Sequence, residues 1–149
     1  MYSLSNKLAI GTAQFGLNYG IANQNGQVDA KEIESILDCA YENEINTLDT
    51  AKAYGNSEKS IGNYLKQTEN SWYIITKVRD DNKSIIEQIH DSSEKLTVKP
   101  TVVLAHSAKL FLNAEFQSEI QQEKEKQFLR KGNFNSIDKQ VRRPYMLPR

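Results

Sequence analysis

Hydrophobic positions between residues 7 and 106 follow two alternating rhythms. Short apolar runs read as strands: KLAIG (7–11), INTLD (45–49), WYIITK (72–77) and TVVLAH (101–106). The third is rich in aromatic and β-branched residues, and Pro100 sets off the fourth. Between the runs the apolar spacing lengthens to that of a helix. Asp29 opens the first helix with Glu32 three residues on, the spacing of a capping box. Ile33, Ile36, Leu37, Ala40 and Tyr41 then share one helical face. Asn56 or Ser57 is the predicted cap of a second helix carrying Ile61, Tyr64 and Leu65. Asp81 or Asn82 is the predicted start of a third, with Ile85, Ile86, Ile89 and Leu96. Strands and helices alternating at about 30 residues per unit imply βαβ crossovers and a parallel sheet.

After residue 106 the regularity fades. NAEFQSEIQQEKEKQFLRKG (113–132) reads as a charged helix. Residues 133–149, NFNSIDKQVRRPYMLPR, have a basic bias, two prolines and no strand pattern. They read as a disordered tail separate from an organised unit over 1–132.

Composition narrows the function classes. Nineteen Lys and Arg balance nineteen Asp and Glu, so charge points to neither a nucleic acid nor an anionic membrane as partner. Cys39 is the only cysteine, which excludes an intrachain disulfide and a cysteine-based zinc cluster, and no metal site is read. The N-terminal stretch lacks the apolar run of a secretory signal, and no window suggests a membrane span. The expected location is the cytoplasm.

Two parallel-sheet architectures suit this order. GTAQFG (11–16) is one substitution from the dinucleotide fingerprint of an open, doubly wound sheet. That fingerprint needs a helix N-terminus inside the glycine turn, however, and here the helix begins near Asp29, after a long loop. The alternative is a (β/α)-barrel, in which function sits at the C-terminal ends of several strands. The strand ends are chemically loaded: Asp49 closes the second, Lys77 the third and His106 the fourth, with Tyr54 in the loop after the second. Alone, each has a plain explanation as a cap, a packed aromatic or a solvated charge; His90, in mid-helix, keeps that explanation. Together they place an acid, a phenol, an ammonium and an imidazole on one rim.

The segments GTAQFG, NTLDTAKAYGNSE, IITK and VVLAH resemble the aldo-keto reductase family, and the loop GLNYGIANQNGQV is similar to its bacterial members. The D-T-A-x-x-Y-G-x-S-E run is the most specific of these. The resemblance implies a (β/α)8 barrel that reduces aldehydes and ketones with NADPH. By motif, the catalytic tetrad falls on Asp49, Tyr54, Lys77 and His106, with Gly11, Thr12 and Asp49 beside the nicotinamide. A tyrosine hydroxyl is a poor acid near neutrality, and a neighbouring ammonium improves it by favouring the phenolate. Lys77 would supply that charge, Asp49 would orient Lys77, and His106 would position the carbonyl or share in proton relay.

The resemblance covers residues 7 to about 106, four β/α units, whereas a full barrel typically takes about 250 residues. The basic tail reads like sequence beyond a frameshift or early stop. Phosphate-holding loops in such barrels follow the last strands, so NADPH binding by this half is expected to be weak. Two functions are therefore expected: a carbonyl reductase completed by a second chain or copy, or a catalytically silent half-barrel. Residues Thr47, Ile45, Ile75, Tyr73, Leu104 and Val102 would line an uncovered inner face and favour self-association.

Overall fold

The computed structural model describes residues 7–130. Four strands form one sheet in the order β1-β2-β3-β4: β1 (Ile10–Gly11), β2 (Thr47–Asp49), β3 (Tyr73–Val78) and β4 (Val102–Ala105). All three pairings are parallel, with Gly11 level with Asp49, Asp49 with Ile75, and Lys77 with Leu104. Helices α1 (Ala30–Glu42), α2 (Ser57–Leu65) and α3 (Ile85–Leu96) fill the connections. A four-residue helix, α4 (Ala108–Phe111), and the longer α5 (Ala114–Arg130) follow β4. None of these helices is long and apolar enough to cross a membrane.

Side-chain alternation decides which face of the sheet is covered. Leu48, Ile74, Thr76 and Val78 point to the helices and are buried. Leu48 and Ile74 pack with Phe15, Ile33, Leu37, Ile61, Tyr64 and Leu96, joining β2 and β3 to all three connecting helices. Val78 belongs to a second cluster with Ile85, Leu110 and Phe116, which seats α4 and α5 beside α3. The opposite face has no such cover: Tyr73, Val102 and Leu104 are 58%, 42% and 44% exposed. The expected inner face is therefore open among the described residues.

Helix starts follow local hydrogen bonding. Asp29 caps α1 by accepting from the N–H groups of Lys31 and Glu32, but Glu32 does not return the second bond of the expected capping box. The predicted start of α3 at Asp81 or Asn82 is displaced. Ser84 caps instead, in a reciprocal capping box with Glu87, while the Asp81 carboxylate accepts from the Asn82 N–H. Asn56 is the cap residue of α2 but makes no side-chain capping bond. β1, β2 and β4 are shorter than their apolar runs, β3 keeps its length one residue further on, and α4 was not anticipated; Ser107 caps it by accepting from the Leu110 N–H. The expected helix over 113–132 is present as α5, and the expected tail at 133–149 lies outside the described residues.

Candidate active site

The site is assembled by backbone before any side chain reaches it. Parallel pairing runs on past the strand ends: the Thr12 N–H donates to Asp49 O, the Thr50 N–H to Ile75 O, and the Lys52 N–H to Lys77 O. The His106 N–H donates to Val78 O at 2.8 Å. These bonds hold the ends of β1 to β4 in one continuous rim.

A buried hydroxyl cluster locks the first two loops together. The Ser57 hydroxyl lies 2.8 Å from Thr12 O, 2.9 Å from Thr12 Oγ1 and 3.0 Å from Thr50 Oγ1. Thr12 Oγ1 in turn donates to Asp49 O at 3.0 Å. All three side chains are fully buried. Buried polar groups persist only when hydrogen-bonded, and here the partners come from three separate segments. Thr12 thus spends its hydroxyl on the carbonyl of Asp49, whereas neighbouring Gly11 is exposed, with open space where a side chain would stand.

Close backbone contact positions the loop that carries Tyr54. A Cβ on Gly16 would fall 1.9 Å from Tyr54 O and 2.2 Å from Ser57 N. Gly55 adopts φ +55, and a Cβ there would meet Gly16 O at 2.4 Å. Only glycine allows these two backbones to touch.

On this scaffold Lys77, Asp49 and Tyr54 come together. Lys77 Nζ donates to Asp49 Oδ1 and, at 3.0 Å, to Thr50 O. The same ammonium lies 5.2 Å from the centre of the half-buried Tyr54 ring. Lys77 is the penultimate residue of β3 rather than its last, and it shares the open face with Tyr73 and Ile75. His106 follows β4 on the same rim, tied by its backbone and exposed. His90 is an exposed residue of α3, away from this rim.

Two neighbours of these residues escaped the sequence reading. Lys52 is only 10% exposed, and its Nζ lies 3.6 Å from Asp81 and 3.5 Å from Asp91. It ties the Tyr54 loop to α3 and to the loop before it. Asp91 also accepts from Lys83 at 2.6 Å, which holds its carboxyl below, and the Lys83 ammonium above, their ordinary ranges. The Asn82 N–H and then the nearby cations hold Asp81 low as well. Glu58, buried on α2, accepts from Thr76 Oγ1 at 2.7 Å and so braces β3 from behind. Both residues lie inside the DTAKAYGNSE run, but their partners are remote in sequence.

Comparison with known proteins bears on the family and the fold. The model of the aldo/keto reductase family matches residues 7–110. PA4992 of Pseudomonas aeruginosa, a solved structure assigned to the aldo-keto reductases, superposes with a TM-score of 0.65 at 26% identity, over 80% of this chain and 51% of that one. A glycerol dehydrogenase from Gluconobacter oxydans superposes at 0.54 with 25% identity, over 80% of this chain and 41% of its own. An aldo/keto reductase from Brucella melitensis shares the fold at 18% identity, with a TM-score of 0.57, over 81% of this chain and 45% of that one. No curated protein matches. The chain spans about half the length of the solved structures it resembles. With the family match over most of its length and a parallel sheet ordered as in the first half of such a barrel, this chain belongs to the aldo-keto reductase family.

Proposed function

We propose that the rim formed by Asp49, Tyr54, Lys77 and His106 is the proton-donating site of an NADPH-dependent carbonyl reductase. The observation that carries this reading is the Lys77 ammonium held between the Asp49 carboxylate and the Tyr54 ring. The residues present suit the nicotinamide end of the cofactor: Gly11 offers bare, exposed backbone level with Asp49. Thr12 would act there through its backbone, its hydroxyl being bonded to Asp49 O. When bound, the cofactor supplies the hydride for the carbonyl carbon. Tyr54 gives its hydroxyl proton to the carbonyl oxygen as negative charge develops there. Lys77, whose ammonium Asp49 holds over the Tyr54 ring, stabilises the phenolate left behind. His106, exposed at the mouth, orients the carbonyl oxygen. The substrate is a small aldehyde or ketone, and the reaction fits a soluble cytoplasmic setting.

A second reading is a catalytically silent half-barrel. The inner face, open among the described residues, favours it. Phosphate sites of (β/α)8 barrels lie after strands seven and eight, beyond the four strands described. Calorimetric titration with NADPH separates the readings. Micromolar binding, worth about 8 kcal/mol, supports the reductase. No saturation at millimolar NADPH overturns it in favour of the silent half-barrel.

A further inference from the structure

One side chain ties together the loop that leads from Phe15 to α1. Asn23 Oδ1 accepts from the N–H groups of Asn25 and Gly26, both at 3.0 Å. Its Nδ2 donates to Tyr19 O at 3.0 Å and to Gly26 O at 2.7 Å. Short polar side chains hold turns in this way, by bonding backbone groups two or three residues on. Asn25 joins the turn through its backbone N–H and is exposed. Gly26 has φ +81, and a Cβ there would meet nothing within 4 Å.

Asn25–Gly26 is the one Asn-Gly pair in the chain. The carboxamide carbon of an asparagine lies within five-membered-ring reach of the next residue's backbone nitrogen. A side chain on that next residue crowds the approach, and glycine brings none. Two Asn-Ser pairs are less favourably placed. The buried Ser57 after Asn56 donates its N–H to Tyr54 O at 3.0 Å. Ser71 after Asn70 donates its N–H to the Tyr41 hydroxyl at 3.4 Å.

We propose that Asn25 is a site of spontaneous deamidation, and that Asn23 sets its rate by holding the attacking nitrogen. Gly26 N bonds to Asn25 Cγ, the proton on that nitrogen passes to solvent, and the Cγ–Nδ2 bond breaks to release ammonia. One water then adds to either carbonyl of the succinimide and opens the ring, which leaves aspartate or isoaspartate at position 25. Water is the only co-reactant. While the Gly26 N–H points at Asn23 Oδ1 its nitrogen is turned away from the carboxamide, so molecules react only when that bond opens. The product carries a new carboxylate on a chain whose charges otherwise balance. Isoaspartate also lengthens the backbone just before two anchors, where Gln27 Nε2 donates to Phe15 O and the Val28 N–H to Gln14 O, each at 2.9 Å. The inference concerns the chain's own chemistry and stands whether or not it turns over a substrate.

Peptide mapping by mass spectrometry of the full 149-residue chain, held in mildly alkaline buffer, tests it. Conversion at Asn25 should outpace that at Asn56 and Asn70 and give both aspartate and isoaspartate. It should quicken as pH rises, because the attacking nitrogen must lose its proton. Asn23→Ala removes the acceptor and should raise the rate roughly 2–10-fold, the equilibrium factor of one net hydrogen bond. Asn23→Asp keeps an oxygen facing both N–H groups and loses only the donors, so its rate should stay within about twofold of the parent. Circular dichroism should match the parent in both variants, since residue 23 belongs to no strand or helix. An Asn25 that stays intact, a rate unchanged in Asn23→Ala, or equal acceleration in Asn23→Asp would overturn the proposal.

Discussion

Gly16→Ala tests whether backbone contact holds the Tyr54 loop in place. The added Cβ would lie 1.9 Å from Tyr54 O, 2.2 Å from Ser57 N and 2.7 Å from Asn56 N. All three atoms are backbone, so none can swing aside as a side-chain tip would. Restoring an ordinary contact of 3.4 Å requires the 54–57 turn to retreat by about 1.5 Å, the difference from the closest approach. That movement stretches the Asn56–Gly16 hydrogen bond, already 3.5 Å, and pulls Ser57 from its cluster with Thr12 and Thr50. Overpacking costs about 1–3 kcal/mol, and a buried hydroxyl partner left unsatisfied costs about 1–3 kcal/mol more. A combined loss of about 2–6 kcal/mol, at roughly 4 °C per kcal/mol for a chain of this size, lowers Tm by about 8–24 °C. Gly11→Ala is the control, since its Cβ would meet nothing within 4 Å; its Tm should stay within about 2 °C of the parent. Thermal melts followed by circular dichroism read both. Equal melting of Gly16→Ala and the parent would refute the reasoning.

Ser57→Ala should cost about 1–3 kcal/mol, because Thr12 O and Thr50 Oγ1 lose a buried partner. Ser35→Ala, on the exposed side of α1, should cost under about 0.5 kcal/mol in the same denaturant titration. Stability should also fall in acid. Asp81, Asp91 and Glu87 are held below their ordinary values of 3.8, 3.8 and 4.5, by the Asn82 N–H, Lys83 and Ser84 respectively. Their contribution is therefore full above those ordinary values and is lost as pH drops through the lowered ones. Lys83 acts in the opposite sense: held above 10.5, it contributes fully below that value and loses its contribution only as pH rises through the raised one. Asp91→Asn should flatten the acid limb of a stability–pH curve measured by denaturant unfolding, and an unchanged limb would count against this network.

The strands and the face of each were legible because a parallel sheet with helices on one side leaves a strong imprint of alternation. Leu48, Ile74 and Val78 turn to the helices while Asp49, Ile75 and Lys77 turn away, as a period of two requires. Helix starts were less legible where two capping signals competed. Asp81 and Asn82 had the right chemistry for α3, but the Ser84–Glu87 box satisfied two backbone groups at once. Ser57 was similarly ambiguous. As a cap candidate it looked local, yet its hydroxyl bonds to Thr12, 45 residues away, a partner that only the fold supplies.

The candidate site was legible as a set of residue types at strand ends, and its geometry was not. Motif order placed Asp49, Tyr54, Lys77 and His106 on a rim, but the means of holding the Tyr54 loop left little local trace. Gly16 and Gly55 lie in separate loops, and their mutual contact depends on those loops meeting. Lys52, between Ala51 and Ala53, has no local sequence signal for its burial. Its burial follows from Asp81 and Asp91 facing it across the gap between two loops.

Proton donation by the Tyr54 hydroxyl during carbonyl reduction is the central claim, and Tyr54→Phe tests it most directly. The substitution removes one oxygen from a half-buried ring and leaves the Lys77–Asp49 pair in place. NADPH oxidation in the presence of a panel of small aldehydes and ketones, followed by absorbance, should show turnover by the parent chain. The variant should lose roughly 10²–10⁴-fold in rate, the span of general acid catalysis, with an unaltered circular dichroism spectrum. A variant within about threefold of the parent, or a parent that oxidises no NADPH with any carbonyl, would contradict the account.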